Sequence, residues 1–145
     1  MPSGLADFGA SSWLATILGL SPVPAGYYVA LCLEQPGPGM DGAVLSDLEP
    51  PPGSAYGRQF VATGPADWVI NGPYALNLNG LDFPVATIDW GLITHYAVLD
   101  SVAEGNLVGY GEFLVPIEVL AGDPMSIPPG GLVLTLADLE DSIAV

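Results

Sequence analysis

The sequence predicts an all-β domain, a β-sandwich or jelly roll that carries one short N-terminal helix. Short apolar runs with strand-like alternation recur from about residue 26 to about residue 136, each bounded by turn-forming residues. Glycine (19) and proline (15) are abundant, so turns are frequent and long helices few. No fixed-period repeat and no change of composition divides the chain, so residues 1–145 read as a single domain. A chain of this size buries roughly 70% of its unfolded surface, enough for a core without metal or disulfides.

The helix is expected at about residues 4–18. Ser3 can cap it, and Asp7 lies near the positive end of its dipole. Leu5, Phe8, Trp13, Leu14, Ile17 and Leu18 mostly follow helical spacing, and Gly19 and Pro22 stop it. That apolar stripe requires a partner, either the domain's own sheet or a neighbouring subunit. After Pro24 the period becomes that of a strand. Residues 27–34 place Tyr27, Val29, Leu31 and Leu33 on one face and Tyr28, Ala30 and Cys32 on the other, so both faces read as buried. Residues 35–54 form a long loop dense in proline and glycine, with a helical turn available at 41–48. A loop of that length is usually functional or an interface element.

Further strands are expected at 55–62, 67–70, 74–78, 93–100, 106–114, 116–120, 125–127 and 131–136. Asn71-Gly72-Pro73 marks a turn, and Asn79-Gly80 is a hairpin-type dipeptide. Residues 137–145 form an acidic tail, read as a frayed turn or a docking arm.

Sixteen acidic residues face a single base, Arg58, for a formal net charge of −15. Nucleic acid and anionic membranes are both excluded as partners, because binding either needs Lys and Arg. A partner with a basic patch or a bound cation remains allowed. The plainest consequence of the charge is solubility. Only 12% of residues are charged, which is low for a halophilic protein. The lone Cys32 forms no intrachain disulfide and lies in an apolar run, where a buried, inert thiol is expected. The N-terminus has no basic residues before its apolar stretch, so no signal peptide is expected. The apolar runs are also too short to span a membrane as helices. A soluble protein made in a cytoplasm is the expectation.

Catalytic chemistry is poorly represented. His95 is the only histidine, mid-strand on the face with Ile93, Ala97 and Leu99, and reads as structural. One His and one Cys do not build a structural zinc site. Asp41 in its glycine-rich loop, and Asp138, Glu140 and Asp141 near the C-terminus, do not match calcium-loop spacing and read as solvated. With sixteen acids a chance carboxylate pair proves nothing about glycoside hydrolysis, and no phosphate-cradling glycine pattern precedes a helix. No catalytic residue, metal site or cofactor is expected, and the chain does not read as an enzyme.

Aromatic residues and the single arginine are the candidates for interaction. Exposed aromatics serve sugar-binding faces and protein interfaces, although alternation within strands makes core packing their default. Trp13, Trp68, Tyr74 and Trp90 are the aromatic candidates. Arg58, in Tyr56-Gly57-Arg58-Gln59, either pairs with one of the acids through its planar fork or contacts a neighbouring subunit.

The stretch from Phe83 through Asp89-Trp90-Gly91 and Thr94-His95-Tyr96 to Asp100 resembles a family of short phage tail fibre proteins with a β-sandwich domain. The likeness continues through Gly105-Asn106-Leu107-Val108-Gly109-Tyr110-Gly111, Ala121-Gly122-Asp123 and Ile127-Pro128-Pro129-Gly130-Gly131-Leu132. Upstream, Tyr28-Val29-Ala30-Leu31 and Ala55-Tyr56-Gly57-Arg58-Gln59 match the same pattern, so it covers about residues 5–136. The long Pro/Gly loop and the lack of lysine depart from it. The resemblance implies a virion protein of a tailed phage: a tail fibre, tail tip or baseplate component, or a capsid decoration or head-fibre protein. A host-glycan-binding module, with Trp68 and Tyr74 in one exposed patch, is a further expectation. The expected partners are copies of itself, with a trimer among the options, other virion proteins and the host surface. The negative charge favours the particle's exterior, away from packaged DNA. The helix, the 36–52 loop and the C-terminal tail are the expected contact elements, and a proline-rich loop can bind at low entropic cost.

Overall fold

A computed structural model describes residues 4–135. Its elements are β1 (Gly4–Leu5), α1 (Asp7–Ile17), β2 (Gly26–Cys32), α2 (Gly42–Leu45) with a 3₁₀ turn (Ser46–Leu48), β3 (Gln59–Ala62), β4 (Trp68–Asn71), β5 (Tyr74–Asn77), β6 (Leu81–Phe83), β7 (Gly91–Leu99), β8 (Leu107–Val119), β9 (Met125–Ile127) and β10 (Val133–Thr135). A five-stranded antiparallel sheet runs β1-β8-β7-β2-β3. A three-stranded sheet, β10-β5-β4, and a two-stranded one, β6-β9, complete an all-β, sandwich-like domain.

Strand β2 explains the layering. Its alternate residues feed two cores, because successive side chains point to opposite faces. Val29 and Leu31 join Phe83, Trp90, Ile93, Tyr96 and Ile127 between the large sheet and the smaller ones. Ala30 and Cys32 join Leu45, Ala97, Leu99 and Leu107 under the 35–54 loop. The long loop is thus the lid of a second core, and Leu45 is its fully buried anchor. Each large aliphatic side chain so buried contributes about 1.5–3 kcal/mol.

Several expectations are corrected. The helix begins at Asp7, with Ala6 as its N-cap and no side-chain cap; Ser3 lies outside the described residues. Residues 4 and 5 pair instead as a strand with β8 (Gly4↔Tyr110, Leu5↔Gly109), and the Ala6 amide continues that contact by donating to the Val108 carbonyl. The 106–114 and 116–120 runs are one strand, β8. Pro116 is tolerated because β1 pairs only with residues 109 and 110. Among the described residues, the outer edge of β8 beyond them has no strand partner to lose. The pairing jumps from His95↔Glu112 to Ile93↔Ile117, so residues 113–116 bulge opposite Thr94. This register shift puts Ile93 in the first core, away from the face that His95 shares with Ala97 and Leu99.

Of the 55–62 run only its second half is a strand, since Ala55 takes a φ of +66°. Asn79-Gly80 does not close a hairpin: β5 pairs with β4 and β10, and the following strand β6, unexpected from the sequence, pairs with β9. The hairpin forms at Gly72-Pro73, where Gly72 adopts φ +62°. The acidic tail at 137–145 lies outside the described residues.

Candidate interaction surface

Arg58 is buried and faces inwards. Its Nη2 donates to Glu49 Oε1 at 2.7 Å and its Nε to Glu49 Oε2 at 3.2 Å. Nη1 donates to the carbonyls of Ser101 (3.1 Å) and Glu104 (2.9 Å), and Nη2 also reaches the Gly42 carbonyl at 3.3 Å. One guanidinium therefore ties together the 35–54 loop and the turn between β7 and β8. The two segments touch so closely that a Cβ on Gly42 would lie 1.8 Å from the Glu104 carbonyl oxygen. Tyr56 completes the cluster: its hydroxyl donates to Glu49 Oε2 and accepts from the Leu31 amide. Burial, then the charge of Glu49, holds the Tyr56 phenol far above its ordinary pKa.

The reactive side chains are held inside. Burial, then the Glu49 charge, pushes the Cys32 thiol well up, so it stays protonated. His95 is buried beside Cys32 and Glu112 on the flanking strands; Nδ1 meets Thr94 Oγ1 at 2.8 Å, and Nε2 has no partner among the described residues. Burial lowers its pKa, against a smaller upward pull from Glu112. Among the described residues no group of three or more His, Cys, Asp or Glu side chains is placed to hold a metal ion.

The aromatic candidates separate by location. Trp90 is 2% exposed, with Nε1 donating to the Ser54 carbonyl at 2.9 Å, and is core. Trp68 is half-buried against the first core and donates to the Ala62 carbonyl. Tyr74 (47% exposed) and Trp13 (41%) remain at the surface. Trp68 pairs with Asn77 and Asn71 with Tyr74, which places Trp68 and Tyr74 on opposite faces of the β4–β5 hairpin. The single Trp68–Tyr74 patch expected for glycan binding is therefore not formed. The structure instead brings Tyr74 to Trp13: both line an apolar groove of about 320 Å³ together with Leu5, Ile70 and Leu134.

Helix α1 borders that groove. Gly9 seats it on the sheet, where a Cβ would stand 1.8 Å from the Val108 carbonyl oxygen. So close an approach admits only small side chains, and Gly9, Ser12 and Thr16 turn towards Tyr27, Val98 and Val108. Phe8, Leu14, Ile17 and Leu18 are left exposed, contrary to a stripe buried on the domain's own sheet. A second apolar projection is the β8 bulge, where Leu114 is 92% exposed beside Val115.

A model of the family described as podophage GP4 fiber I protein gp80 matches residues 7–135. The chain belongs to this podophage fibre family. No curated protein matches it. The match runs from the first residue of α1 to the last of β10 and covers every element of the fold except β1. Among the described residues of this fibre-family protein, the surface carries an apolar helix face, an apolar groove and an apolar bulge, and Cys32, Arg58 and His95 are buried. Ile70, Leu134 and Leu114 were missed as surface candidates because an apolar residue in a strand reads as core. The absence of any charged residue from 8 to 33 was a signal for the exposed face of α1, but nothing in the sequence singles out these three.

Proposed function

We propose that this chain is a structural component of a podophage virion, part of the fibre apparatus of the tail, acting by packing and attachment without catalysis. The match to the fibre family over residues 7–135 carries this reading. The site geometry supports it: the histidine, the cysteine and the arginine are committed to the interior, and large apolar side chains of α1 and of the β8 bulge face solvent. The net charge of −15 suits the particle's exterior, away from DNA.

Immunogold electron microscopy on purified particles, with antibody to this chain, tests the location. Label at the tail supports the proposal. Label spread over the capsid would make the chain a head fibre or decoration protein, and unlabelled particles would contradict a virion role.

A further inference from the structure

We propose that residues 136–145 of this chain occupy the apolar groove beside Trp13, in the same copy, and cover it. The inference goes beyond the fibre reading and does not depend on it.

The groove begins on the small sheet. Leu134, Ala75 and Ile70 pair in a row across β10, β5 and β4, so their side chains share one face. Leu5 and Trp13 line the groove with them, and Ile70 is left 72% exposed. A second apolar hollow, of about 220 Å³, shares Leu5, Trp13 and Leu134 and continues along α1 to Thr16 and Tyr27. The two hollows thus join at Trp13. Neither has a charged lining residue, so a segment docked there buries no carboxylate of the body.

The chain's own path supplies the occupant. Thr135, the last residue of β10, lines the groove and pairs with Tyr74. Residue 136 therefore starts at the groove itself. Continued by one residue, β10 brings Leu136 to the face of Leu134, because alternate residues share a face. Leu136, Leu139 and Ile143 then recur at i, i+3 and i+7, the spacing of a helical apolar stripe, with Asp138 and Asp141 on the opposite side. The segment can turn its apolar side to the groove and keep these carboxylates in water.

Tethering decides against other apolar partners. A segment joined to the rim of a groove meets it at an effective concentration on the order of millimolar. An untethered partner, whether a second copy or another virion protein, must compete with it at its own concentration.

The test is nuclear magnetic resonance of the full, isotope-labelled chain. The methyl groups of Leu139 and Ile143 are expected to show nuclear Overhauser contacts to the Trp13 indole. Leu139→Asp combined with Ile143→Asp is expected to shift the Trp13 and Ile70 signals. Ile70→Asp, at an exposed position, is expected to shift those of Leu139 and Ile143. Mixing labelled with unlabelled chains separates contacts within a copy from contacts between copies.

Contacts within one copy, lost in both variants, bear the inference out. Their absence, with the effects of the Leu139 and Ile143 substitutions confined to residues 136–145, overturns it, whatever else then covers Trp13. So do contacts found only between labelled and unlabelled chains, which would seat one copy's segment on its neighbour. None of these results touches the fibre reading, which immunogold labelling of particles tests separately.

Discussion

The carboxylate of Glu49 and the guanidinium of Arg58 form a buried two-bonded ion pair, Nη2 to Oε1 at 2.7 Å and Nε to Oε2 at 3.2 Å. It joins the loop that lids the second core to the irregular segment that leads into β3. Removing one partner leaves the other buried without its counter-charge, which costs about 3–5 kcal/mol. Glu49→Gln and Arg58→Met are each expected to lose stability of that order by chemical denaturation. Arg58→Lys keeps the charge but not the fork, and is expected to recover only part of the loss. Variants as stable as the wild type would show that the loop is held by Leu45 and its neighbours instead.

Gly9 is where α1 meets the sheet. Gly9→Ala places a methyl 1.8 Å from the Val108 carbonyl oxygen, a backbone atom that cannot rotate away. Overpacking of this kind costs about 1–3 kcal/mol. A lower denaturation midpoint is expected. An unchanged midpoint would mean that α1 sits farther from β8 than described.

His95 is expected to make stability pH-dependent. Its folded pKa lies below the ordinary 6.5, because burial disfavours the charged ring. The unfolded chain therefore binds the proton more readily, so stability is full above pH 6.5 and falls as pH drops through that value. The loss levels off once the pH is below the folded pKa as well. His95→Gln removes this titration, and its stability measured between neutral and mildly acidic pH is expected to change less than that of the wild type. Parallel profiles would contradict the assignment.

Cys32 is buried, and its thiol is raised well above the ordinary range. A thiol reagent is expected to leave the native chain unmodified at neutral pH and to label it fully in denaturant. Rapid native labelling would mean that the 35–54 lid opens readily.

Much of the fold was legible because its strands alternate. Residues 27–34 read as a strand buried on both faces; β2 does serve two cores, but it ends at Cys32, so that Leu33 and Glu34 lie beyond it. The errors fall where tertiary partners override local pattern. Leu5 fits a helical stripe, yet Gly109 is there to pair with it. Pro116 looks like a strand break, but among the described residues its edge has no strand neighbour to lose. Ile93 and His95 look like same-face residues until the bulge at 113–116 shifts the register. At the candidate site, Arg58 paired with an acid is visible in the composition, since sixteen acids surround a single base. The meeting of Trp13 and Tyr74 is not, because only the chain's three-dimensional path sets the β4–β5 hairpin tip beside α1. The exposure of Ile17 and Leu18 was hidden as well: a helix seated on glycine reverses the usual meaning of its apolar stripe.

Quantitative mass spectrometry of purified virions tests the central claim most directly, by counting copies of this chain per particle. A structural fibre role in the tail predicts a small symmetric number, a few to a few tens of copies, fixed from one preparation to the next. Hundreds of copies would move the chain to the capsid lattice, and its absence from the particle would contradict the account.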